Sequence, residues 1–217
     1  MIDITVCILT HNRPKLFDRC INSVLTANTN GYNIEIVVNN DTCDITQQFH
    51  KNIQTRYFEF QDEDLSAIYK FLYDQSRGEY IFFLEDDDYI QPWFFSKIDT
   101  QYDINFIEYT STSHLTLGPM KAMEIQRINR TIDTRKPRMF VSQFNQTFFQ
   151  LSQIAFRKKL VKCFPSGNAL NNDLKLFQHI CETANTLKYI NHASWVQTTD
   201  GGDNISFTDL NKDERFY

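Results

Sequence analysis

The apolar run at residues 80–84 (YIFFL) is followed by four consecutive acids, Glu85, Asp86, Asp87 and Asp88. Carboxylates this close together disfavour one another's ionisation unless a cation lies among them. Hard oxygen ligands suit Mg²⁺ or Mn²⁺, which often join protein carboxylates to phosphate oxygens. The pattern therefore predicts a metal and diphosphate site, and the alternative is a solvated acidic turn.

Strands and helices are predicted to alternate through the first hundred residues. Apolar and β-branched runs predict strands at residues 4–9, 34–38, 57–60 and 80–84. Helical spacing predicts one helix from Pro14 to before Gly31 and another from about Asp64 to before Gly78. This alternation implies right-handed crossovers and an α/β fold with a mostly parallel central sheet flanked by helices.

Polar residues follow three of these strands, in loops at 10–13, 39–41 and 85–88. The carboxyl ends of parallel strands meet at one edge of a sheet, where ligands of open α/β folds bind. We therefore expect the three loops to lie together and to form a nucleotide site.

The second half of the chain alternates less regularly. Strands are predicted at residues 105–109 and 148–156 and a helix at 170–184. No linker composition separates the two halves, so residues 1–217 are expected to form one domain.

Composition limits the class of protein. The net charge is −5, and basic residues concentrate at 121–138, which includes Arg127, Arg130 and Arg135 and could face a polyanion or be an ordinary solvated segment. Five scattered cysteines without a C-x-x-C pair predict neither a zinc site nor a disulfide framework. No apolar stretch approaches the roughly 20 residues of a membrane-spanning helix, so we expect no membrane insertion and a cytoplasmic location.

Three ordered blocks carry a resemblance to a known family. They are VCILTHNRPKLFDRCINSVL at residues 6–25, IEIVVNNDTCD at 34–44 and GEYIFFLEDDDYIQP at 78–92. Together they resemble family 2 glycosyltransferases of the GT-A (Rossmann-like) fold, including the T-x-N-R loop and, apart from Glu85 in place of the first aspartate, the metal-binding D-x-D-D stretch. The resemblance covers residues 4–95 and is faint beyond them.

This resemblance implies transfer of a sugar from a nucleotide-sugar donor, with a UDP-sugar expected. Residues 1–95 would bind the donor and metal, and residues 96–217 would form the acceptor side. Thr10, Asn12 and Arg13 would line the nucleotide pocket, although helix capping also accounts for such residues. The remaining donor residues would be Asn39 near the base, Glu85 or Asp86 near the ribose, and Asp87 with Asp88 or Asp86 on Mn²⁺ or Mg²⁺.

The stretch at residues 156–180 faintly resembles the acceptor side of the family, where an E-D pair opens a helix. Asn172 and Asp173 would occupy the pair, which makes Asp173 the candidate general base and implies inversion at the anomeric carbon. The alternative for Asp173 is a first-turn acid favoured by the helix dipole. His192 and the loop at 200–206 are weaker candidates for contacts to the metal or donor.

The chain also departs from the family pattern. Asn39 and Asn40 replace the usual aspartates, and DLSAIYKFLYDQ at residues 64–75 replaces a helix that normally carries an arginine near the diphosphate. The acceptor is predicted to be either a saccharide or hydroxymethylcytosine in bacteriophage DNA, in which case the basic segment would contact phosphates. A non-catalytic nucleotide-sugar-binding module is the alternative to an enzyme.

Overall fold

The computed structural model describes residues 1–40, 45–62, 64–111, 151–165 and 172–197. Its strands, in chain order, are β1 (Ile4–Thr10), β2 (Ile34–Asn40), β3 (Gln54–Phe58), β4 (Tyr80–Glu85), β5 (Tyr89–Ile90), β6 (Ile104–Ser111), β7 (Ile154–Arg157) and β8 (Leu187–Gln197). They form one sheet in the order β3-β2-β1-β4-β7-β6-β8-β5. The strands β1 to β4 pair in parallel, as do β6 and β8, whereas β7 is antiparallel to both of its neighbours and β5 is antiparallel to β8. The predicted α/β fold with a mostly parallel sheet and flanking helices is confirmed.

The helices are α1 (Pro14–Thr26), α2 (Leu65–Gln75), the short α3 (Phe94–Lys97) and α4 (Asn172–Thr183), with single 3₁₀ turns at Leu151–Gln153 and Lys158–Leu160. Pro14 opens α1, where its fixed φ suits the helix and its missing N–H is not needed. The side chain of Asp64 caps α2 by accepting a hydrogen bond of 2.9 Å from the amide of Ser66.

The sheet is buried on both faces because its central strands are apolar at nearly every position. In β1, Ile4, Val6 and Ile8 face the core that contains α1, and Cys7 faces the core that contains α2 and α4. This two-sided burial fixes the ends of β1 and β4 relative to one another.

The strands predicted at 57–60 and 148–156 differ most from the observed elements. The strand expected at 57–60 is β3, Gln54–Phe58, because its ladder with β2 runs from Gln54 to Phe58 and stops there. The part of the strand expected at 148–156 that is described begins as a 3₁₀ turn and becomes β7 only at Ile154. The described part of the helix expected at 170–184 is α4, and neither β5 nor β8 was predicted.

Gly78 allows close packing of two strands and does not cap the carboxyl end of α2. The helix is closed at Ser76, and a Cβ on Gly78 would lie 2.6 Å from the amide nitrogen of Thr5. The Gly78 amide instead donates a hydrogen bond of 2.8 Å to the Thr5 hydroxyl. The glycine therefore lets the chain enter β4 directly against β1.

Within the described residues, every helix is too short or too polar to cross a lipid bilayer.

Candidate active site

The carboxyl ends of β1, β2 and β4 lie side by side, as predicted. Leu9 of β1 is in register with Asn39 of β2 and with Glu85 of β4. Residues 85–88, called the acid loop below, therefore leave the sheet next to the loop that follows Thr10.

Three carboxylates of the acid loop converge. Glu85, Asp87 and Asp88 each offer an oxygen, and these oxygens all lie within 4.8 Å of one another. Asp87 and Asp88 are buried and Glu85 is half-buried. Hard, negatively charged oxygens at this spacing fit a divalent cation such as Mn²⁺ or Mg²⁺.

Asp86 has different surroundings from the other three acids. Its side chain is fully buried, one oxygen lies 2.6 Å from the guanidinium of Arg13, and the other accepts a hydrogen bond of 3.3 Å from the His11 amide. Burial raises the pKa of Asp86 to about 6, against the lowering effects of Arg13 and the Thr10 hydroxyl. The side chain thus ties the loop after β1 to the acid loop and stays outside the converging trio.

Arg13 supplies a positive charge to the carboxylates of the acid loop. Its guanidinium also donates a hydrogen bond of 2.9 Å to Asp87, so it bridges two carboxylates. Asn12, just before it, has a φ of 50°, a left-handed conformation that asparagine tolerates better than most residues. This turn in the backbone carries the chain from the end of β1 into α1, which starts at the next residue after Arg13.

Glu85 is the acid most affected by its neighbours. Burial first, and then the charges of Asp87, Asp173 and Asp86, raise its pKa to about 8, while Arg13 opposes the shift. Asp173, in the first turn of α4, is therefore close enough to interact with the acid loop. Two predicted site residues from opposite halves of the chain thus interact electrostatically.

Tyr69 of α2 lies beside the acid loop but was not among the predicted site residues. It is buried, and its ring packs edge-on against Phe83 at a centroid distance of 5.1 Å. Burial, followed by the charges of Glu85 and Asp173, raises the pKa of its hydroxyl well above the usual value. Tyr69 also lines a small cavity with Glu85 and Ser152. The sequence does not reveal the position of Tyr69 beside the acid loop, because a tyrosine on the apolar face of a helix looks like any other core residue.

Asn39 makes a paired contact with the main chain. Its amide nitrogen donates a hydrogen bond of 2.9 Å to the Phe60 carbonyl, and its oxygen accepts one of 2.9 Å from the Phe60 amide. The side chain is fully buried and continues the β2–β3 ladder beyond Phe58. Its predicted contact with the nucleotide base stays a prediction.

Other predicted site residues fall beyond what the structure describes. Arg127, Arg130, Arg135 and the loop at 200–206 lie outside the described residues. For His192 the backbone lies in β8, and its side chain is not described.

Solved structures with this fold include known nucleotide-sugar complexes. One is S. aureus TarS 1–349 in complex with UDP-GlcNAc, with a TM-score of 0.64, 17% identity, and coverage of 94% of this chain and 61% of that one. Another is the mannosyltransferase PcManGT from Pyrobaculum calidifontis in complex with GDP-Man and Mn²⁺, with a TM-score of 0.65, 12% identity, and coverage of 98% and 65%. The chain thus spans less than two thirds of either structure, and the likeness is one of fold.

No curated protein sequence matches the chain. The sequence profile of Glycosyl transferase family 2, in contrast, matches residues 5–164, which include all of β1 except Ile4, the acid loop and β7. The chain therefore belongs to glycosyl transferase family 2.

Proposed function

We propose that this protein is a glycosyltransferase that moves a sugar from a nucleotide-sugar donor to an acceptor hydroxyl. The observation that carries the proposal is the convergence of Glu85, Asp87 and Asp88 at the carboxyl end of β4 in a family 2 chain. A UDP-sugar is the expected donor, and the UDP-GlcNAc complex of TarS is consistent with it. Residues 1–95 would hold the donor, and residues 96–217 would form the acceptor side.

Asp87 and Asp88 would hold Mn²⁺ or Mg²⁺, and Glu85 completes their ligand set better than Asp86 does. A bound divalent cation would stabilise the negative charge that builds on the departing nucleoside diphosphate. Asp86 would act as an anchor, because both of its oxygens already accept contacts from Arg13 and the His11 amide.

The nucleotide would lie over the loop formed by Thr10, Asn12 and Arg13. Arg13 can offer its remaining guanidinium donors to phosphate oxygens while it keeps Asp86 and Asp87 in place. Asn39 would contribute to the base pocket through the Phe60 segment that it fixes.

Asp173 would serve as the general base. It would accept the proton of the acceptor hydroxyl as that oxygen attacks the anomeric carbon from the side opposite the diphosphate, which inverts the configuration. Its influence on the pKa of Glu85 supports a position facing the acid loop.

The acceptor would be a saccharide or a hydroxymethylated cytosine in phage DNA. A DNA acceptor requires phosphate contacts, for which Arg127, Arg130 and Arg135 are the candidates, and predicts a steep loss of binding with added salt. Charge reversal of these three arginines with unchanged transfer to DNA would contradict the DNA alternative.

The test is thermal stability of the protein against UDP-, GDP-, CMP- and dTDP-sugars, each with and without Mn²⁺, because a ligand that binds only the native state raises the unfolding temperature. We expect a metal-dependent rise for one nucleotide class, slow hydrolysis of that donor by water, and loss of both in Asp87→Ala. Donor binding without any hydrolysis or transfer would favour the non-catalytic module, and no response to any pair would refute the donor site.

A further inference from the structure

Helix α1 binds the main chain of the acid loop and of β5 through three side chains on one face. They are Arg19, which donates a hydrogen bond of 2.6 Å to the Asp87 carbonyl, Cys20, whose thiol lies 3.4 Å from the Glu85 carbonyl, and Ser23, which accepts one of 3.1 Å from the Ile90 amide. Positions 19, 20 and 23 share a helix face because side chains one turn apart lie above one another. The helix therefore holds the acid loop at Glu85 and Asp87 and holds β5, which follows the loop, at Ile90.

Arg19 is the one charged donor among these three side chains, and it also contacts Tyr89. Its guanidinium lies 5.2 Å from the centre of the Tyr89 ring, directly after the acid loop. Tyr89 in turn pairs with Val196 of β8. Arg19 thus links α1 to Tyr89, whose main chain pairs with β8.

The two arginines on this side of the loop have distinct roles. Arg13 contacts the carboxylates of Asp86 and Asp87, whereas the hydrogen bond from Arg19 goes to a main-chain carbonyl. A contact of that kind fixes the backbone and leaves carboxylate oxygens for a cation. It also places a positive charge beside a group of acids that would otherwise repel one another.

We propose that Arg19 is a positioning residue that holds the acid loop in its cation-binding shape. This inference rests on the proposed function, since it assumes that Glu85, Asp87 and Asp88 bind a divalent cation. Residues that orient metal ligands without touching the metal commonly change metal affinity by about 10- to 100-fold when they are lost. We expect an effect at the lower end, about tenfold, because Cys20 still contacts the loop and Ser23 still contacts β5 directly after it.

The experiment is a titration of the intact protein with Mn²⁺ alone. The unfolding temperature is measured at each Mn²⁺ concentration, and its rise gives the half-saturating concentration. The variants are Arg19→Met, Arg19→Lys and the control Arg77→Met. Arg77 bonds Glu35 at the other end of the sheet, so its loss should lower stability and leave the loop unchanged. Lysine keeps the charge of Arg19 but not its planar fork of donors, and should give an intermediate result.

The expected result is a half-saturating Mn²⁺ concentration about tenfold higher in Arg19→Met than in the wild type, with a smaller rise in Arg19→Lys and no rise in Arg77→Met. If Arg19→Met does not fold, the rise in Arg19→Lys decides. Half-saturation within about twofold of the wild type in both Arg19 variants, with a normal wild-type response, would overturn this inference alone. A wild type that does not respond to Mn²⁺ would overturn the metal site and this inference together.

Discussion

Glu85→Gln should remove a pH dependence of stability that the metal-free protein owes to the acid loop. Burial and the charges of Asp87, Asp173 and Asp86 raise the pKa of Glu85 from 4.5 to about 8. Between these values the folded state keeps a proton that the unfolded chain has already released. The contribution of Glu85 to the free energy of unfolding therefore falls as pH rises from 4.5 to about 8 and is level above that range.

The decrease in the free energy of unfolding depends on how far the pKa of Glu85 is raised. A difference of one bound proton is worth about 1.4 kcal/mol per pH unit, so the whole range sets an upper limit of about 5 kcal/mol. Part of the shift comes from the charges of Asp87, Asp173 and Asp86, and it shrinks whenever one of these acids takes up a proton instead. We therefore expect a loss of about 2–3 kcal/mol in the wild type.

Urea unfolding in EDTA from about pH 5 to about pH 8.5 measures the effect. The wild type should lose stability across this range, and Glu85→Gln should lose much less and exceed the wild type at the alkaline end. Glu59→Gln, a change of the same type at an exposed position outside the acid loop, should keep the wild-type slope. Stability that is constant or rises with pH in the wild type, or an equal slope in Glu85→Gln, would refute this account of the acid loop.

Three further substitutions test other contacts. Asn39→Asp should lower the free energy of unfolding in urea by about 1–3 kcal/mol, because the Phe60 carbonyl loses its donor; an unchanged value would show that the paired contact is dispensable. Asp173→Asn should reduce turnover by about 10²-fold and leave the donor Kd nearly unchanged, and turnover at the wild-type rate would place the base elsewhere. Gly78→Ala should destabilise by about 1–3 kcal/mol in thermal unfolding, because its Cβ would lie 2.6 Å from the Thr5 amide nitrogen, and a negligible loss would mean that β1 shifts freely.

The central strands, and the sheet edge at which their carboxyl ends meet, were predictable because strands buried on both faces need apolar residues at nearly every position. β1, β2 and β4 are covered on both faces, which requires continuous apolar runs, and polar residues begin where each strand ends. The edge strand β3 is only partly covered and tolerates the polar residues Gln54, Thr55 and Arg56. The prediction therefore included only its apolar end and placed the strand at 57–60. β5 has only two residues, too few for any periodicity.

The contact of Arg19 with the acid loop and the contact of Asn39 with Phe60 could not be predicted, because both are made to main-chain atoms. A sequence pattern shows which side chains are present, but the position of the Asp87 carbonyl or of the Phe60 peptide depends on the fold. The Asn39 contact also gives a physical reason for one departure from the family pattern. An asparagine amide can donate to the Phe60 carbonyl and accept from its amide, whereas an ionised aspartate can only accept. Asparagine at this position therefore fits the segment after β3 in this chain, and its presence is not by itself a sign of a lost active site.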